Sequence, residues 1–308
     1  HIKTKRNFDE HEKALHNAIM ESIQIIDNRD TKHSKGMIPQ LVTEALAVSF
    51  DTSVGHDFFE DAEERYEYYH RVENKIPFRL DFFNKITKGG LSNKTLSIII
   101  AGTGVGKSMM MCGFAADNIL LGKNVLYITL EMSEEETARR IDANLLNLTM
   151  DEIETVSKDN YMKMIDRLKV KSPGKLIIHE YPTSSASTIH FKHLLHELKL
   201  KKNFTPDIIY VDYLGICASA RVKLSNQVNS YALIKAVAEE LRAMGVEWDV
   251  PVVSAVQLNR EGFKSSDPGM GDTSESFGVP FTADLMFGLI SSISFGNSMD
   301  KEYPLPPI

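Results

Sequence analysis

Residues 96–108 read LSIIIAGTGVGKS, and no other stretch of the chain narrows the possible folds as far. An apolar run from Leu96 to Ile100 enters a turn containing Gly102, Gly104 and Gly106; the turn closes on Lys107 and Ser108, and a helical run begins at Met109. Strand, glycine-rich turn and helix in that order are the context a phosphate-binding loop needs. Glycines let the backbone take conformations that a Cβ would block, so successive N–H groups converge on phosphate oxygens. The helix N-terminus adds positive potential behind them. In this reading Gly102, Thr103, Gly104, Val105, Gly106, Lys107, Ser108 and Met109 form a nucleotide cradle. Lys107 reaches the β- and γ-phosphates, and the Ser108 hydroxyl ligates Mg²⁺. The strict pattern wants Gly where this chain has the small residue Ala101. A plain glycine turn with a solvated lysine is the alternative.

Further apolar runs at 125–130, 176–179, 208–214 and 250–256 alternate with helical stretches at 108–121, 134–146, 189–200 and 231–244. Such alternation predicts a parallel sheet covered on both faces by helices. Ser133 and Glu136 have the spacing of a capping box opening the second of these helices. Three strands end in polar side chains where ligands collect in parallel sheets. Asp212 closes IIYVD and suits a Mg²⁺-linked carboxylate. Glu131 follows VLYITL and suits a base that polarises an attacking water; capping of the next helix is its alternative. Gln257 closes PVVSAVQ and suits a γ-phosphate sensor, because a neutral amide changes partners without the desolvation cost of a charge.

Ahead of this pattern, residues 8–27 carry Leu15, Ile19, Ile23 and Ile26 at helical spacing, and a polar stretch from 27 to 36 reads as a linker. Pro39 opens a second short helix, with Leu41, Val42, Ala45, Leu46 and Val48 on its apolar face. That helix is too short to stand alone and docks either on its own domain or on a neighbouring subunit. Residues 51–75 are acidic and aromatic and read as another helix, with Phe58, Phe59, Tyr66, Tyr68 and Tyr69 facing a core.

The net charge of −7 argues against a globally basic nucleic-acid wrapper, though not against a local basic pore. Cys112 and Cys217 are far apart, which suggests a reducing compartment and provides no disulfide or metal framework. No apolar run approaches the roughly 18 residues of a membrane span. The chain starts at His1 without an apolar signal core and reads as part of a longer protein. His190, His193 and His196 recur every third residue; on a helix the first and last diverge too far to share a metal, so they read as a solvated face. Met109, Met110 and Met111 read as core filler. Two polar segments follow strands at the ligand end: 218–230 with Arg221 and Lys223, and 260–278 with Lys264. Isolated cations among small polar residues suit DNA-backbone contacts; ordinary surface loops are the alternative.

The order of these motifs, with Asp212 in IIYVDYLG and Gln257 in VVSAVQLNR, resembles the RecA-like motor domain of DnaB-type replicative helicases. The segments KITKGG (85–90), NVLYITLEMSEEE (124–136), RRIDAN (139–144), ELKLKKNF (197–204) and VDYLGIC (211–217) look closest to the T-even-type phage branch of that family. The resemblance spans roughly residues 45–289. It implies a homohexameric ring moving 5′ to 3′ on single-stranded DNA, fuelled by ATP or GTP with Mg²⁺, working with a primase and a helicase loader. It implies Lys107 and Ser108 as phosphate and Mg²⁺ contacts, Glu131 as catalytic base, Asp212 as the Mg²⁺-linked acid and Gln257 as sensor. It also implies that the helix near 37–50 docks on the next subunit, and that Arg221, Lys223 and Lys264 lie on DNA-facing loops.

Family members carry an N-terminal collar, of which only a tail end precedes Pro39 here. They also continue past a segment like ADLMFGLI (283–290) into strands bearing an arginine finger; residues 291–308 show nothing similar, and Pro304, Pro306 and Pro307 exclude a regular final element. The expected organisation is therefore a helical linker (1–50), an α/β RecA-like P-loop NTPase domain with a mostly parallel sheet (51–290), and an irregular tail (291–308). The expected function is an NTP-driven replicative helicase motor, in the host cytoplasm if phage-encoded. A RecA-like recombinase or loader, and a P-loop phosphotransferase for small molecules, are the rival functions.

Overall fold

The computed structural model describes residues 16–27, 38, 57–71, 73–172, 174–222, 230–257 and 282–290. The chain divides into two compact units, residues 1–72 and 73–308.

In the first unit, helix α1 runs over residues 16–26. Its buried face is Ala18, Ser22 and Ile25, whereas Ile19, Ile23 and Ile26 of the expected stripe are each about half exposed. Leu15, the linker beyond Asp27 and the helix expected from Pro39 lie outside the described residues. Helix α2 (Ala62–His70) exists but buries no residue. Its Tyr66, Tyr68 and Tyr69 are exposed, as are Phe58 and Phe59 in the preceding turn, which corrects the expectation that these rings face a core. Glu63, Glu64, Arg65 and Glu67 interrupt the aromatics, so no continuous apolar stripe forms.

The second unit begins with α3 (Asp81–Thr87), followed by β1 (Leu96–Ala101), α4 (Lys107–Leu120), β2 (Val125–Thr129), α5 (Glu134–Leu146), α6 (Met150–Thr155), α7 (Lys158–Lys171), β3 (Leu176–Glu180), α8 (Thr188–Lys202), β4 (Ile208–Asp212), α9 (Ser230–Trp248), β5 (Val252–Gln257) and β6 (Leu285–Leu289). The six strands form one sheet in the order β3-β2-β4-β5-β1-β6. Every strand pairing in it is parallel. The expected strands and helices are present with ends shifted by a few residues. The sixth strand and helices α3, α6 and α7 have no counterpart in the sequence-based expectation. β6 is only five residues long and contains Gly288, so its pattern says little.

Period-2 alternation sends successive side chains to opposite faces. On one face Ile99, Tyr127, Tyr210, Val253 and Ala255 pack with Met111, Cys112, Phe114, Ala115 and Ile119 of α4 and Ile141 of α5. On the other, Ile98, Leu126, Ile128, Ile209 and Val211 pack with Phe191, Leu194, Leu195 and Leu198 of α8 and with Val237, Ala238, Leu241 and Met244 of α9. Each fully buried side chain of this kind contributes about 1.5–3 kcal/mol, so the two helical layers fix which way the strand ends point. Of the three methionines behind the loop only Met111 is fully core; Met109 is exposed.

The turn entering β1 requires a glycine. Gly90 has φ +124°, and a Cβ there would lie 2.1 Å from the Ile76 carbonyl oxygen. Ile76 and Leu91 form an antiparallel bridge across it.

Candidate functional site

The glycine-rich turn takes the conformation its sequence predicts. Gly104 and Gly106 have φ of +74° and +111°, the left-handed region that other residues avoid. Gly106 is the residue before α4, so the first free N–H groups of that helix follow directly.

Register delivers the strand ends. Ala101 of β1 pairs with Gln257 of β5, and Thr129 of β2 pairs with Asp212 of β4. Beyond β2 the chain is pinned: the Leu130 N–H donates to the Asp212 carbonyl (2.8 Å), and the Thr129 hydroxyl accepts from the Met132 N–H (3.1 Å). The turn between them carries Glu131 towards the loop. Ser133 rather than Glu131 caps α5, its Oγ accepting the Glu136 N–H at 3.1 Å. The other half of the expected capping box is not made; the Glu136 carboxylate pairs with Arg139 and Arg140 instead. The capping alternative for Glu131 is thereby answered by a different residue.

Lys107 is the centre of the site. Its side chain is buried, and Nζ lies 2.5 Å from Glu131 Oε2 and 4.0 Å from Asp212 Oδ1. Nζ also sits over the Tyr213 ring, 3.9 Å from its centroid, a cation–π contact worth about 0.5–2 kcal/mol. The Gln257 amide donates to the Thr103 hydroxyl in the glycine loop. One cluster thus unites the loop, Glu131, Asp212 and Gln257, as the motif spacing predicts.

Asp212 is fully buried. Burial raises its pKa above the ordinary value, and the Glu131 charge adds to the rise; the Lys107 ammonium, the Ser108 hydroxyl and the Tyr127 hydroxyl oppose it. Oδ2 accepts a hydrogen bond from Tyr127 at 3.1 Å. Oδ1 has no hydrogen-bond partner among the described residues, while the Ser108 hydroxyl favours the ionised form of the carboxylate. An orphaned buried carboxylate oxygen beside a serine hydroxyl is a hard-oxygen donor set, which fits a Mg²⁺ ion. A bound cation would reverse the burial effect on Asp212.

Tyr127 and Tyr213 also belong to the site, although no motif in the sequence marks them. Burial, together with the neighbouring Asp212 charge, raises the Tyr127 hydroxyl well above the ordinary tyrosine value. Burial also pushes the Cys112 thiol, next in line behind it, up to about 11.

The expected DNA contacts are only partly in view. Lys223 and Lys264 lie outside the described residues. Arg221 is half exposed and tied within the chain, its Nη2 donating to Glu239 (2.7 Å) and to the Ala236 carbonyl (3.1 Å). Buried Glu240 anchors the same segment, accepting from the Ser219 hydroxyl (2.6 Å), the Ala220 N–H (2.9 Å) and the Thr188 hydroxyl (3.0 Å). Of the three histidines on α8, His190 accepts the Ser187 N–H at the helix start, and the His196 ring meets Trp248 edge-on. Among the described residues no helix is long and apolar enough to cross a membrane.

The sequence profile of the DnaB-like helicase C-terminal domain matches residues 76–297. The chain is 44% identical to the DnaB-like replicative helicase of Enterobacteria phage T4, covering 91% of this chain and 61% of that protein. It is 27% identical to a probable plasmid replicative DNA helicase of Chlamydia psittaci, over 71% of this chain and 49% of the relative. Among solved structures, a DnaB-like replicative helicase studied with its primase superposes with a TM-score of 0.67 at 19% identity, over 93% of this chain and 68% of that one. A solved ATPase domain superposes with a TM-score of 0.64, also at 19% identity, over 81% of this chain and 87% of the other. The chain spans about three fifths or less of the length of these curated relatives. Neither rival function, recombinase nor small-molecule phosphotransferase, is represented in these matches.

Proposed function

The chain belongs to the DnaB-like helicase C-terminal domain family, and from that premise we propose that it is the motor of a replicative DNA helicase that hydrolyses ATP or GTP to move 5′ to 3′ along single-stranded DNA. The observation that carries the proposal is the convergence of Glu131 and Asp212 on the Lys107 ammonium, within 2.5 and 4.0 Å, at the mouth of a glycine-lined loop.

The backbone amides of residues 102–108 cradle the triphosphate, and Lys107 neutralises its terminal oxygens. Ser108 and Asp212 would hold a Mg²⁺ ion, which supplies charge neutralisation on the phosphates when bound. Glu131 leaves Lys107 as the phosphates take that ammonium, and its freed carboxylate accepts a proton from the attacking water. Gln257, bonded to Thr103, exchanges that partner for the γ-phosphate and transmits its loss along β5 to the segment that follows. In this reading the protein works as a homohexameric ring in the host cytoplasm, with a primase and a loader as partners. Lys223 and Lys264 meet the DNA backbone, Arg221 joins them only by exchanging its Glu239 and Glu240 partners for phosphate, and the helix near 37–50 docks on the next subunit. Several copies of a sparse cation set around one strand would multiply affinity through shared geometry.

The test is nucleotide turnover with and without single-stranded DNA, combined with strand displacement on forks bearing a 5′ or a 3′ tail, in the full-length protein. DNA-stimulated turnover and unwinding from the 5′ tail are expected. Turnover indifferent to DNA, with no fork opening, would overturn the proposal.

A further inference from the structure

β2 carries a hydroxyl that this mechanism leaves unused. Tyr127 is fully buried, and its ring stacks on Tyr210 of β4, with centroids 5.7 Å apart and planes 15° from parallel. Phenylalanine would serve that packing equally well, so the buried hydroxyl needs another explanation. Its oxygen lies 3.1 Å from Asp212 Oδ2. The Cys112 thiol donates to the same phenol oxygen at 3.7 Å. With the thiol donating into the phenol oxygen, the phenol proton is directed at Asp212.

A carboxylate turns easily about its terminal torsion. A donor on one oxygen fixes the plane and therefore the direction of the other. Here the fixed oxygen is Oδ2, and the unpartnered oxygen is Oδ1, on the side of Lys107. Resting on the reading of Asp212 as a Mg²⁺ ligand, we propose that Tyr127 is a positioning residue whose O–H aims Asp212 Oδ1 at the cation. Outer-shell partners of metal ligands typically account for about 10–100-fold in metal affinity.

The test uses this chain with a fluorescent ADP analogue, titrated with Mg²⁺ at fixed nucleotide, in the unaltered protein, Tyr127→Phe, Asp212→Asn and the double variant. In Tyr127→Phe the Mg²⁺ concentration for half-maximal effect should rise about tenfold, while nucleotide binding without Mg²⁺ stays unchanged. In the Asp212→Asn background the same change should have no further effect, because its route is gone. A merely structural role for Tyr127 would persist there. As a second readout, the gain in thermal midpoint on adding Mg²⁺ to nucleotide-bound protein should shrink in Tyr127→Phe. Comparing one variant with and without the ion cancels any uniform loss of stability. An unchanged Mg²⁺ requirement in Tyr127→Phe, with a weakened one in Asp212→Asn, overturns this inference alone. An unchanged requirement in Asp212→Asn overturns the Mg²⁺ reading of the site and this inference with it.

Discussion

Replacing Glu131 by glutamine should move two observables in opposite directions. Glu131 holds Lys107 at 2.5 Å, so a phosphate that reaches this ammonium must compete with a carboxylate already on it. A charged hydrogen bond contributes about 1.5–3 kcal/mol in a shielded setting. The lysine side chain is 10% exposed but the glutamate 44%, and solvent screening brings the pair closer to about 1 kcal/mol. Glutamine keeps the shape and removes the charge. Nucleotide binding should therefore tighten about fivefold, since about 1.4 kcal/mol is tenfold. Turnover should fall by a factor on the order of 10²–10⁴, the usual contribution of a positioned base.

Fluorescent-nucleotide titration reads the first effect, and single-turnover hydrolysis in the assembled full-length protein with single-stranded DNA reads the second. The combination discriminates among roles. A residue that only shaped the loop would weaken binding and turnover together. If Glu131→Gln binds nucleotide no more tightly and hydrolyses it at the unaltered rate, the base lies elsewhere and the ion pair is incidental.

Lys107→Ala should abolish measurable hydrolysis in the assembled protein, because the phosphate charge and the Glu131–Asp212 pair of carboxylates both lose their counter-charge; retained turnover would refute the site. Gly90→Ala should destabilise the second unit by about 3 kcal/mol or more, since backbone must move to relieve a 2.1 Å approach; urea unfolding checks this, and a loss under about 1 kcal/mol would mean the turn is more plastic than its geometry. Glu240→Gln should weaken stability at neutral pH and leave it less sensitive to acid. Burial raises the Glu240 pKa, but donation from the Ala220 N–H, Ser219, Thr188 and the Arg221 N–H outweighs it and brings the value below 4.5. A lowered folded pKa stabilises above the unfolded value and is lost as pH falls through the folded one, so the gap between variant and unaltered protein should close below about pH 4.5. A gap that stays constant down to pH 3 would remove the ionised carboxylate from the account.

The parts of the site carried by backbone conformation or by a polar ending to an apolar strand were legible in the sequence. Gly104 and Gly106 announce positive φ, and Asp212 stands out at the end of IIYVD because a carboxylate has no place in a strand core. Tyr127 and Tyr213 were not legible, since a tyrosine in or beside an apolar strand looks the same whether its hydroxyl (Tyr127) or its ring (Tyr213) serves the site or merely packs. One signal was available: VLYIT and IIYVD both place a tyrosine two residues before the polar strand end, and the register pairs Tyr127 with Tyr210 as it pairs Thr129 with Asp212. The aromatic helix misled for the opposite reason. Residue type suggested a core, while the interleaved charges of Glu63, Glu64, Arg65 and Glu67 denied it a face. Arg221 read as an available cation because sequence does not show that Glu239 and Glu240, about twenty residues on, return beside it.

The chemistry of the cluster is inherited from packing that lies behind it. Side chains alternate along a strand, so a slip of one residue between β2 and β4 would turn Asp212 away from Lys107 and bring an apolar neighbour in its place. That slip is opposed by both helical layers at once: Tyr127 and Tyr210 are held against α4 and Asn118, whose amide donates to Tyr210 at 2.6 Å, while Leu126, Ile128, Ile209 and Val211 are held against α8 and α9. Between β4 and β5 the Ser254 hydroxyl adds a bond to the Val211 carbonyl at 2.7 Å, one residue from Asp212. A register error would therefore expose buried apolar area on two faces and strand several buried polar groups, far outweighing what one ion pair at the site contributes. Lys107, Glu131 and Asp212 can then carry a costly arrangement, two carboxylates around one ammonium with Asp212 fully buried, because the sheet holds them there whether or not their own interactions favour it.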